Sequence, residues 1–210
     1  MPIALGVLLA LILFAPGEPA PALQYECAIQ SGPPARVRVF RSSGQTRRQV
    51  GPELTYRHRA KMASAADVDG DGRLDLLVLV WKTTRYDPRP GWRPFVYTLR
   101  DGEWTPKWLG SRVGHPLLEA AFVRTPQGVR MLTIEDFGDG RTGFTLYHWR
   151  GFGFWGEWTG PSEPTFSDLR VADEDGDGTD EISVSDGQRR TLYQYRDGGY
   201  MTAASTEGRK

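Results

Sequence analysis

The sequence repeats itself with a period of roughly fifty residues, and that repetition restricts the fold more than any other feature. The stretch ADVDGDGRLDLLVLVW at 66–81 returns as ADEDGDGTDEISVS at 172–185, with Asp175 lying 106 residues after Asp69, or twice 53. A middle copy keeps the apolar frame and loses the acids. Ala66, Val68, Leu76, Leu77 and Leu79 correspond to Ala121, Val123, Met131, Leu132 and Ile134, all 55 residues further on. A second register agrees: FVYTLRDGEW (95–104), TLYHWRGFGF (145–154) and TLYQYRDGGY (191–200) share strand, Arg, Gly-containing turn and aromatic. VRVFRSSGQ, with Arg41, fits the same template near the N-terminus.

Each unit reads as four short strands: one before the acidic loop, one after it, and a hairpin closed by the Arg-Gly turn. In the second unit the strands are expected at Tyr56 to Ala65, Asp75 to Trp81, Pro94 to Arg100 and Glu103 to Leu109. The N-terminal stretch supplies three, near Tyr25 to Ile29, Arg36 to Arg41 and Thr46 to Val50. LLVLVW lacks polar alternation, which predicts a strand covered on both faces, whereas ISVS alternates and is expected to be more exposed. With 25 Gly, 15 Pro and no helix-period apolar stripe, the chain is all-β. Four-stranded units that cannot bury their faces alone are the signature of propeller blades. The expectation is about four, at roughly 24–52, 54–110, 116–160 and 165–205, in a small closed propeller or an open partial one that a second copy would complete.

Lys plus Arg and Asp plus Glu both number 26, so electrostatics invites no nucleic acid. Residues 1–22 hold an apolar run from Ile3 to Phe14 and an Ala20-Pro21-Ala22 triplet, the pattern of a signal peptide cleaved near Ala22. No base precedes the run, which is unusual for a leader. Retention as a membrane anchor is the alternative, although the run is shorter than the ~20 residues that span a bilayer. The mature chain is therefore expected in a secreted or periplasmic location without a membrane span. The single cysteine, Cys27, forms no intrachain disulfide and reads as a half-buried strand residue.

The acids follow the spacing D-x-D-x-D-G-x-x-D. Calcium takes about six to eight oxygens at about 2.3–2.6 Å. The first loop offers the carboxylates of Asp67, Asp69, Asp71 and Asp75 with the Arg73 carbonyl; the second offers Asp173, Asp175, Asp177 and Glu181 with the Thr179 carbonyl. Without a cation, such crowded carboxylates repel one another and raise their own pKa values. An EF-hand would place its bidentate Glu at loop position 12, which falls on Val78 and Val184, so two calcium sites of another type are expected. The middle copy has Phe122, Arg124, Pro126 and Arg130 at the ligand positions. It cannot bind calcium, and Arg130 is expected to hold its loop by hydrogen bonds. DFGDG at 136–140 reads as a plain hairpin turn.

The two loops and their following strands resemble the FG-GAP and VCBS repeats of integrin-α-type β-propellers, over residues from about 56 to 204. The resemblance implies blades with calcium in the hairpin joining their first two strands, usually outside the cell, serving adhesion or recognition and sometimes attached to catalytic domains.

No G-x-S-x-G, H-E-x-x-H or phosphate-loop motif occurs, and His58, His115 and His148 are isolated. The chain is therefore expected to be no enzyme and to have no catalytic residues. The loop KTTRYDPRPGWRP (82–94) is longer than its counterparts and displays Arg85, Tyr86, Arg89, Trp92 and Arg93, a combination suited to a partner-binding surface on the face opposite the calcium hairpins. Trp92 could equally serve only to cover a blade. The expected function is a calcium-binding module acting non-catalytically in recognition, adhesion or structural support, with a protein or glycan ligand. The alternative is an enzyme acting on polysaccharide, which would need a pair of carboxylates in a cleft lined by Trp92.

Overall fold

The computed structural model describes residues 24–203 apart from 44, 86 and 164, so the expected leader at 1–22 lies outside the described residues. The chain is all-β: β1 (Gln24–Gln30), β2 (Ala35–Ser43), β3 (Thr46–Tyr56), β4 (Ala60–Ala66), β5 (Asp75–Lys82), β6 (Gly91–Arg100), β7 (Glu103–Leu109), β8 (Leu117–Thr125), β9 (Gly128–Gly138), β10 (Arg141–Trp149), β11 (Phe154–Glu163), β12 (Ser167–Ala172), β13 (Glu181–Ser185), β14 (Arg190–Arg196) and β15 (Gly199–Thr202). Among the described residues, no helix is long and apolar enough to cross a membrane.

Consecutive strands pair antiparallel in four groups: β1 to β3, β4 to β7, β8 to β11 and β12 to β15. The second and third groups join through one pair, Trp92 opposite Leu117. The Asp-Gly pairs at 101–102, 139–140 and 197–198 close hairpins with both residues at positive φ, the geometry whose twist matches that of the flanking strands. DFGDG is accordingly the end of the β9–β10 hairpin.

Two boundaries differ from the sequence expectation. Tyr56 ends β3, and β4 begins only at Ala60, because β3 continues along β2 past a register shift between Val37 and Val39. The first group has the three strands expected of it.

Side-chain alternation stacks the groups. In β5, Leu76, Val78 and Val80 pack with Val37, Val39 and Ala60 on one side, while Leu77 and Leu79 pack with Phe122, Met131 and Tyr147 on the other. In β9, Met131 faces the second group and Leu132 and Ile134 face Phe166, Ile182 and Tyr200 of the fourth. LLVLV is thus buried on both faces, from Leu76 to Val80, as its lack of polar residues requires. ISVS departs from expectation: Ile182 and Val184 enter the core, and Ser183 is buried as well, beside Arg190.

The first strands of successive groups lie together, β1 against β4, β4 against β8 and β8 against β12, and β12 has no comparable packing on β1. The outer faces of the first and last sheets carry ion pairs. Arg36 and Arg38 pair with Glu53, and Arg47 with Glu26, on the outside of the first sheet; Asp168 pairs with Arg170 and Arg190 on the last.

Candidate functional site

The two acidic loops follow β4 and β12 and share three backbone-to-carboxylate hydrogen bonds, although Asp67 Oδ1 also accepts from Gly70 and Asp71 N–H. Asp67 accepts from Gly72 N–H at 2.8 Å, and Asp173 accepts from Gly178 N–H at 3.1 Å. Asp71 accepts from Arg73 N–H at 2.8 Å, and Asp177 from Thr179 N–H at 2.7 Å. At the far end Asp75 accepts from Val68 N–H at 3.1 Å, and Glu181 from Glu174 N–H at 2.8 Å. Gly70, Gly72, Gly176 and Gly178 all have positive φ, and a Cβ would meet no atom at any of them. The glycines are there for the backbone angle.

Oxygens of Asp67, Asp69 and Asp71 lie within 4.8 Å of one another, as do those of Asp173, Asp175 and Glu181. The structure therefore gathers three of the expected carboxylates in each loop. Asp177 bonds back to its own turn, and Asp75 is wholly buried, held by Thr98 Oγ1 at 2.5 Å and Lys107 Nζ at 2.9 Å. Burial pushes the Asp75 carboxyl up, against the hydrogen bonds from Thr98 and Lys107. Burial also pushes Glu181 up, and the charges of Asp175 and Asp177 push it further.

The loops differ in their cations. Lys107, on β7, reaches Asp69 at 2.6 Å as well as Asp75. Burial disfavours its charge, but these two carboxylates outweigh burial and raise its pKa. In the second loop Arg124 Nη2 goes to Asp180 at 2.5 Å and stays 3.6 Å from Asp173. Asp173 Oδ1 is buried and has no hydrogen-bond donor among the described residues. An acceptor left bare in this way fits a metal ion and is costly without one.

Lys107, Thr98, Arg124 and Asp180 escaped the sequence pattern, because the first two reach the loop across strands and the other pair joins neighbouring groups. Arg124 alone carried a signal: it stands 55 residues after Asp69, a base where its repeat has an acid. As expected, Arg130 holds its own turn, donating to the carbonyls of Gln127 and Val129, and it also pairs with Glu157 at 2.7 Å.

The long 82–94 segment lies at the other end of β5 and β6 from the first acidic loop, since Lys82 pairs with Gly91 and Asp75 with Thr98. Arg85 and Arg89 are exposed, and Tyr86 lies outside the described residues. Trp92 and Arg93 correct the expectation of a displayed loop, because both belong to β6 and Arg93 is only 4% exposed. Arg93 is drawn inward by Asp87, whose Oδ2 accepts from Nη2 at 2.8 Å. Trp81, Trp92, Arg89, Arg93, Arg112 and His115 line a cleft of about 340 Å³.

No family model matches this sequence, and no curated protein matches it significantly.

Proposed function

We propose that the protein is an exported β-propeller-type module of four open blades, stabilised by calcium and acting non-catalytically in recognition. Two ions are assigned, one to each acidic loop, with Asp67, Asp69 and Asp71 holding the first and Asp173, Asp175 and Glu181 the second. The buried, donorless Asp173 Oδ1 beside Asp175 and Glu181 carries this reading. Bound calcium would neutralise the crowded carboxylates and fix the turn between the first two strands of a blade, so its effect is on stability and rigidity.

Among the described residues the Trp92 cleft has no free carboxylate pair, which supports a binding role over polysaccharide cleavage. Asp87 is engaged by Arg89 and Arg93. Glu135, behind the cleft, is fully buried and accepts from Thr133 Oγ1, Tyr147 Oη and His115 N–H. General acid and base work on a glycosidic bond needs two carboxyl groups facing the substrate.

The test is calorimetric titration of metal-free protein with calcium. Binding at one or two sites, lost in the double variant Asp71→Ala with Asp177→Ala, is expected; no heat and an unchanged melting curve would remove the metal from the function.

A further inference from the structure

We propose that the cleft between residues 89–94 and 112–118 binds the carboxylate of an acidic saccharide. It deepens the recognition reading by naming a ligand class, and it stands apart from the acidic loops at the other end of β5.

Charge is the first support. Arg93, Arg89 and Arg112 place guanidinium nitrogens 2.8, 3.2 and 3.8 Å from Asp87. Three fixed cations share one carboxylate, so the group has two positive charges to spare. The Arg93 side chain is 5% exposed, and its Nε is buried with no acceptor among the described residues. Arg93 thus sets the positive field from inside, while the Arg89 and Arg112 side chains, 72% and 38% exposed, can receive a carboxylate in the two-pronged fork of a guanidinium.

The walls supply the second support. Trp81 and Trp92 stand 5.2 Å apart at 71°, forming a corner of two indoles. Lys61 Nζ lies 4.5 Å from the centre of the Trp92 ring, whereas Trp81 is 37% exposed. A pyranose that carries a carboxylate presents a flat C–H face for the Trp81 indole and an anionic edge for the arginines. An aspartate or glutamate side chain offers the edge without the face. The cleft volume suits one or two sugar units.

The experiment follows tryptophan fluorescence of the calcium-saturated protein on titration with a short oligouronide. A neutral oligosaccharide of equal length, an oligoglutamate peptide and inorganic phosphate are the controls. The oligouronide is expected to bind best. Arg112→Ala should weaken it about tenfold, the loss of one charge-assisted hydrogen bond. Trp81→Ala should weaken it too, and Asp87→Asn should tighten it by removing the resident anion. The double variant Asp71→Ala with Asp177→Ala should still bind, which separates the cleft from the metal loops. Absence of oligouronide binding to folded protein, equal binding of the neutral sugar, peptide or phosphate, or indifference to Arg112→Ala would overturn the proposal.

Discussion

Lys107 places its ammonium 2.6 Å from Asp69 and 2.9 Å from Asp75, so one built-in cation ties an exposed carboxylate of the first acidic loop to a fully buried one. Among the described residues the second loop has no such lysine: Ala203 stands at the matching place after Tyr200, as Lys107 does after Trp104. Two loops that share three backbone bonds therefore start from different charge balances.

Replacing Lys107 by methionine strips the buried Asp75 of its partner. Breaking a buried pair costs about 3 kcal/mol, and that loss is expected in urea melts run in chelator. Calcium should recover a larger share in Lys107→Met than it adds to the wild type, because the ion then supplies the charge that the lysine had supplied. Equal losses with and without calcium would show that the first loop holds no ion.

Glu181→Gln tests the second loop. The amide keeps an oxygen for Glu174 N–H and removes a charge that burial, Asp175 and Asp177 all disfavour. Metal-free Glu181→Gln should thus be at least as stable as the wild type, yet lose one calcium response, about 2.7 kcal/mol at a hundred dissociation constants. A variant that responds to calcium like the wild type would remove Glu181 from the ligand set.

Much of the fold was legible because its strand pairings are local, each strand bonding chiefly to the next. Leu76 to Val80 announced a doubly covered strand by lacking any polar residue, and the Asp-Gly pairs at 101–102 and 197–198 announced hairpins. Ser183 misled, since a hydroxyl beside Arg190 can be buried without breaking the alternation that suggested exposure. Arg93 misled for a related reason: its stretch reads as loop, but Asp87 six residues earlier gives the guanidinium a partner inside. The acids were visible by spacing alone. Lys107 was not, because its approach to Asp75 depends on the register of β5 on β6 and of β6 on β7, including a shift between Val96 and Tyr97.

Asp87 gives the pH dependence a definite sign. Its bond from Arg93, then that from Arg89, lowers its pKa from 3.8 to about 2. A carboxyl depressed by folding contributes stability above its unfolded pKa, and this is lost as pH falls towards the folded value. The difference in melting temperature between wild type and Asp87→Asn should therefore be full at about pH 6 and shrink between about pH 4 and pH 2. A difference constant over that range would mean that Asp87 acts through shape and not charge.

Arg124 and Asp180 bridge the last two groups of strands, beside Glu119, which accepts from Asp168 and Leu169 N–H. Arg124 N–H donates to Asp180 Oδ2 at 2.6 Å, its Nε and Nη2 donate to Oδ1 at 3.0 and 2.5 Å, and Asp180 N–H returns a bond to the Arg124 carbonyl at 2.9 Å. The Asp180 side chain is 8% exposed and that of Arg124 39%, so solvent screens part of the pair. Arg124→Ala is expected to cost about 2 kcal/mol, below the full value for a buried pair. A double-mutant cycle with Asp180→Ala should return a coupling of about 1–2 kcal/mol. Because the bridge spans the third and fourth groups, hydrogen exchange should quicken in β12 to β15 and stay unchanged in β1 to β7. Uniform acceleration across the chain would instead mean that the stack opens as one cooperative unit, with Arg124 contributing to all of it.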